Sequence, residues 1–146
     1  MRLLLGADHA GFELKEYAKR LLESLGHVVL DEGTHSEESV DYPDFAQAVC
    51  RRLLAGEADR AVLVCGSGVG MSMAANRYNG IRAVLCTGLY IAKYSRLHND
   101  ANVLCLPGRL MGKGLAEEAL RVWLETPFEG GRHQRRVAKM DAAKGG

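Results

Sequence analysis

Residues 60–76 read RAVLVCGSGVGMSMAAN. A short apolar run ends on a cysteine, glycines occupy positions 66, 68 and 70, and residues able to begin a helix follow. An apolar run this short, rich in valine and bounded by turn residues, reads as a strand buried on both faces. Strand, glycine turn and helix together form the unit from which parallel sheets are built. Four further runs share the character of Ala61–Val64: Arg2–Leu5, Val28–Leu30, Ile81–Cys86 and Val103–Leu106.

Helical spacing fills the gaps between them. Phe12, Leu14, Tyr17, Ala18, Leu21, Leu22 and Leu25 form one apolar stripe, with Gly26 as its stop. DYPD at 41–44 opens the next helix, with Asp41 placed to cap and Pro43 in the first turn. Phe45, Ala46, Val49, Cys50, Leu53 and Leu54 give that helix its buried face, and Gly56 ends it. Helices also fit residues 70–78, 88–97 and 112–124. The alternation predicts a single α/β domain over 1–146, a doubly wound parallel sheet of five strands with helices on both faces. A C-terminal helical tail completes it.

Composition narrows the function classes. The 146 residues carry 19 Lys and Arg against 18 Asp and Glu, so no global field for a polyanion exists and nucleic acid is not the expected partner. MRLLLGADHAG turns polar after three leucines, too short a run for a signal peptide or membrane span. Cys50, Cys65, Cys86 and Cys105 show no CxxC or Cys/His zinc spacing. Reduced, buried thiols in a cytoplasmic protein are the simplest reading, with no metal.

In doubly wound sheets, ligands collect at the carboxyl ends of the strands. Those ends hold GADHAG (6–11), the acidic loop 31–44, CGSGVG (65–70), CTGLY (86–90) and LPGRLMG (106–112). A dinucleotide fingerprint would need glycine at 71, where Met71 stands. Gly6 and Gly11 have the first spacing of a P-loop, but Phe12 and Glu13 replace its Lys and hydroxyl residue. A phosphatase loop CxxxxxR fails at the same Met71. NAD, ATP and phosphoester hydrolysis are therefore disfavoured.

The glycine loop retains a use of its own. Unpaired amides at a helix start accept a phosphate or a developing oxyanion, and glycines permit close approach. A tight turn packed for its own sake is the competing reading. Cys65 precedes the loop, where thiol pKa values fall, and could be nucleophile, general base or only a small buried hydrophobe. Asp8 and His9 adjoin after the first strand, while His98, Asn99 and Asp100 follow a helix, where the histidine could simply cap. The tail 129–146 holds five basic and two acidic residues. If helical, it sets Arg132 and Arg136 on one face at i and i+4, suited to a phosphate dianion, with His133 facing elsewhere. A solvated basic tail is the alternative.

Five blocks, GADHAGFELK, DEGTHSEESVDYPDFA, CGSGVGMSMAANRYNGIRA, SRLHNDANVL and EGGRHQRRV, resemble the ribose-5-phosphate isomerase B family, which includes the galactose-6-phosphate isomerase subunits. The likeness runs from about residue 1 to 140 and implies Rossmann-like subunits assembled as homodimers or tetramers, with sites at the subunit interface. It implies cofactor-free interconversion of ribose 5-phosphate and ribulose 5-phosphate, a step of the pentose phosphate pathway. Cys65 would be the isomerisation base. The amides of Gly66, Ser67, Gly68, Val69 and Gly70 would hold the enediolate, and His98 would open the furanose ring. Asp8, His9 and Asn99 match sugar- and phosphate-contacting positions; Arg109, Arg132 and Arg136 match the phosphate-binding arginines. Six-carbon sugar phosphates, or a non-catalytic phosphosugar-binding module, remain the alternatives. One branch of the family places a glutamate base after the loop, but Met71-Ser72-Met73 offers no carboxylate.

Overall fold

The apolar runs become strands β1 (Arg2–Ala7), β2 (Val28–Asp31), β3 (Arg60–Cys65), β4 (Ala83–Leu85) and β5 (Val103–Pro107). In the computed structural model, which describes residues 1–143, they pair in parallel in the order β2-β1-β3-β5-β4. The helices are α1 (Phe12–Ser24), α2 (Tyr42–Leu54), α3 (Val69–Ala75), α4 (Leu89–Leu97), α5 (Lys113–Glu125) and α6 (Arg132–Asp141). None of the described helices is long and apolar enough to cross a membrane.

Strand alternation sorts the core into two layers. Leu3, Leu5, Val62, Val64, Leu104 and Leu106 meet α1, α4 and α5 on one face, where Leu22, Leu120 and Trp123 are fully buried. Leu4, Leu63, Cys65, Val103 and Cys105 meet α2 and α3 on the other. Each fully buried leucine contributes about 2 kcal/mol by leaving water. The central strands β1, β3 and β5 are buried on both faces as their sequences predict. The edge strands differ: β2 and β4 are only half-buried, and Val28 is exposed.

Three local expectations change. The run 81–86 yields only three residues of strand, because Ile81 turns into the α2–α3 core. The helix expected over 70–78 stops at Ala75. Asn76 is drawn to β4 instead, accepting from the Ala83 N–H (2.8 Å) and donating to the Ala83 carbonyl (2.9 Å). Asp41 makes no side-chain cap; its carbonyl accepts the Asp44 N–H at 3.2 Å.

Lys15 lies within the helix face that packs on the sheet and is completely buried. Its Nζ donates to both Asp31 oxygens at 2.9 Å and to the Thr34 carbonyl at 2.8 Å. Burial alone would raise the Asp31 carboxyl; the Lys15 hydrogen bond, the Gly33 amide and the Lys15 and Lys19 charges outweigh it and hold the pKa below normal. Residues 33–34 are thereby tied to the end of β1, where the Ala7 N–H donates to Gly33 and the Thr34 N–H to Ala7.

Candidate active site

β1 pairs outward with β2 and β3 outward with β5, so the direction in which strands are added to the sheet reverses between β1 and β3. A crevice opens at that point in doubly wound sheets. Here it is a cleft of about 430 Å³ walled by the loops after β1, β3 and β5.

From β1 come Asp8 and His9. Asp8 is buried, and its carboxylate accepts the Gly11 N–H at 3.0 Å while its own N–H donates to Val64. His9 Nδ1 accepts the Val40 N–H at 3.2 Å, which leaves Nε2 to carry the proton of the neutral ring. From β5 comes Arg109, an exposed side chain lying over Gly66. The Gly108 and Arg109 amides donate to the carbonyls of Cys65 (2.8 Å) and Gly66 (3.0 Å), zipping that loop onto the glycine loop.

The glycine loop itself is shaped by what its glycines lack. Gly68 has φ +78, and a Cβ there would stand 2.7 Å from Leu85. A Cβ on Gly70 would strike the Tyr42 ring at 2.8 Å, so the bare position lets Tyr42 form one wall of the cleft. Ser72 is the first α3 residue to pair back, onto the Gly68 carbonyl (3.0 Å); the preceding amides have no helical partner. One is taken locally, since the Val69 N–H donates to Ser67 Oγ at 3.2 Å. With only seven residues, α3 supplies little macrodipole, so the anion-attracting element is the set of loop amides.

Cys65 lines the cleft and is buried, with 4% of its surface exposed. The other three thiols do not line it. Burial pushes Cys50 up to about 11 and Cys105 well above the ordinary thiol value. Burial also raises Cys86, whose thiol donates to the Gly88 carbonyl. All four are free.

The remaining candidates form a second group. His98 caps α4, its N–H donating to Tyr94. Its ring stacks on His133 with centroids 4.1 Å apart and planes 10° apart, and Tyr94 meets it edge-on at 5.0 Å. Asn99 borders a separate cavity of about 720 Å³ between β4 and α6. Arg132 and Arg136 project from α6 into solvent and pair with no acid among the described residues. α6 is held by Arg82, which reaches Asp141 at 3.0 Å, and by buried His133. One chain therefore gathers Asp8, His9, Cys65, Gly66, Ser67, Gly70 and Arg109 around the cleft, and leaves His98, Asn99, Arg132 and Arg136 outside it. The Val69 side chain faces solvent.

Tyr42 and Glu129 carry no signal as candidates, and His133, set aside as facing away from the arginine pair, is buried against His98. Tyr42 reads only as a helix start, and a ring packed over a distant glycine has no local signature. His98, Glu129 and His133 bring donor atoms within 4.8 Å of one another. An imidazole lone pair lies in its ring plane, however, and one ion cannot lie in two nearly parallel planes 4 Å apart, so the trio as it stands is not a chelate.

Residues 3–140 match the family model described as Ribose/Galactose Isomerase. The chain belongs to this isomerase family. It is 45% identical over 141 residues to ribose-5-phosphate isomerase B of Escherichia coli, covering 97% of this chain and 95% of that one. It is 36% identical to the galactose-6-phosphate isomerase subunit LacB of Clostridium acetobutylicum, covering 95% of this chain and 80% of the relative. Among solved structures, the ribose 5-phosphate isomerase of Thermotoga maritima superposes with a TM-score of 0.95 at 53% identity, covering 97% and 98%. The family match spans β1 through α6, so both groups of candidate residues lie inside it.

Proposed function

We propose that this isomerase interconverts ribose 5-phosphate and ribulose 5-phosphate, with Cys65 as the base. The observation that carries the reading is the cleft at the β1–β3 crevice, where one thiol sits under unpaired loop amides and beside His9 and Arg109. On the open-chain aldose, the thiolate removes the proton from C2, and O1 gains charge as the enediolate forms. The thiol then returns the proton to C1 while the O2 hydroxyl proton passes to O1, leaving the C2 ketone and a C1 hydroxymethyl group. The loop amides of Gly66, Ser67, Gly68 and Gly70 hold the enediolate charge as it develops. The mechanism needs no cofactor.

The phosphate end requires a second chain. Arg132 and Arg136 are paired on α6 but lie outside the cleft of their own chain. A homodimer in which α6 of one protomer reaches the cleft of the other completes the site. Exposed Val69, Leu89, Tyr90 and Leu110, all just beyond strand ends, supply apolar surface for it. A phosphate held far from C1 and C2 uses remote binding energy to orient the reacting carbons.

Incubating the purified chain with ribose 5-phosphate in deuterated water tests the reading. An isomerase yields ribulose 5-phosphate and labelled sugar; a binding module yields neither, and a hydrolase releases phosphate. The rate on ribose 5-phosphate against allose 6-phosphate fixes the preferred chain length.

A further inference from the structure

The furanose form of ribose 5-phosphate must open before C2 becomes acidic, and the reading above gives that step to His98. A lone histidine at a helix end would rotate freely about χ1 and χ2. His98 does not stand alone: its ring is held between His133, face to face at 4.1 Å, and the edge of Tyr94 at 5.0 Å. Both contacts restrict the plane of the imidazole. His133 is itself buried, and its Nε2 has no hydrogen-bond partner.

One carboxylate lies close to both Nε2 atoms. Glu129 Oε2 lies 3.8 Å from His98 Nε2 and 3.9 Å from His133 Nε2. Its backbone is anchored to the same helix end, because the Glu129 N–H donates to the Leu97 carbonyl at 3.0 Å. This fixes the Glu129 backbone beside the histidine and keeps its carboxylate within reach of both rings.

From this arrangement we infer that Glu129 and His133 are positioning residues for His98. The charge of Glu129, 3.8 Å from His98 Nε2 and beyond hydrogen-bond length, favours the tautomer with the proton on Nε2 and the lone pair on Nδ1, the one suited to moving the ring-opening proton. His133 fixes the ring plane and makes ring opening depend on α6 being docked. The inference rests on the isomerase reading and adds these two side chains to it.

A difference between the two substrates isolates the step. Ribose 5-phosphate is a furanose, whereas ribulose 5-phosphate is acyclic because its C5 hydroxyl carries the phosphate. Initial rates are measured in both directions for wild type, Glu129→Gln and His133→Ala. Expected is a loss of about tenfold or more from ribose 5-phosphate, with the rate from ribulose 5-phosphate within about twofold of wild type. Equal losses in both directions, or none in either, overturn the inference. Glu129 is half-exposed, so its amide variant keeps the fold and decides alone should His133→Ala loosen α6. Failure of the isomerase reading looks different: wild type itself turns over neither sugar.

Discussion

Replacing Lys15 with methionine keeps the length of the side chain and removes the only fully buried ammonium among the described residues. Asp31, itself nearly buried, loses two contacts at 2.9 Å and retains the Gly33 amide and a longer contact to Lys19 at 3.4 Å. Stranding one partner of a buried pair costs about 3–5 kcal/mol, a large share of the roughly 5–15 kcal/mol that holds a domain folded. With a urea m-value of about 2 kcal/mol/M, the midpoint at pH 7 drops by about 2 M. Adding Asp31→Asn removes the stranded charge while keeping an acceptor for the Gly33 N–H, and should recover about 2 kcal/mol. The pH dependence has a definite sign. The folded Asp31 pKa lies below its ordinary 3.8, so the pair's contribution is full above that value and is lost as pH falls through the lower, folded value. Wild type and Lys15→Met should therefore converge in stability in strong acid. A midpoint shift under about 0.5 M at pH 7, or a gap that stays constant into acid, would refute the account.

Cys65→Ala should lower turnover roughly 10²-fold or more with little change in KM, measured by steady-state kinetics in both directions; near-normal turnover removes the thiol from the mechanism. Arg136→Ala should instead weaken inorganic phosphate binding about tenfold by calorimetry, leaving the fold intact because the side chain is exposed. Gly11→Ala places a Cβ 2.4 Å from the Val64 carbonyl, and a loss of about 2 kcal/mol should appear as a lower Tm. Brief alkylation of the native protein at neutral pH should label Cys65 alone, since burial keeps Cys50, Cys86 and Cys105 protonated; peptide mapping that finds those three labelled first contradicts the assignment.

The sheet was legible because central strands announce themselves: Leu3–Leu5, Ala61–Val64 and Val103–Leu106 are unbroken apolar runs, and all are buried. Edge strands are less explicit. Ile81 belongs to the same run as Val84, yet tertiary packing claims it for the α2–α3 core and shortens β4. Asn76 looks like a helix residue until its clamp on Ala83, seven positions away, is seen. Lys15 interrupts an apolar stripe, and nothing near it in sequence reveals Asp31. The chemistry was legible where residues sit on loops after strands, as with Asp8, His9, Cys65 and Arg109. Tyr42 and the His98–Glu129–His133 group were not, because each depends on two segments meeting in space.

The two faces of α6 have opposite uses, and this makes the helix informative. Its inward face spends a histidine in the core beside His98, with an Nε2 that no donor or acceptor satisfies. Its outward face sets like charges at Arg132 and Arg136, an i,i+4 repulsion costing a few tenths of a kcal/mol that no acid among the described residues relieves. Both choices lower the stability of an isolated chain. A helix serving only as a lid would be better built with an apolar residue inside and an acid between the arginines. Each cost becomes useful if the inward ring steadies an acid–base group and the outward pair meets a dianion. The same short helix then brings the ring-opening histidine and the phosphate-binding arginines of one protomer together at the cleft of its neighbour.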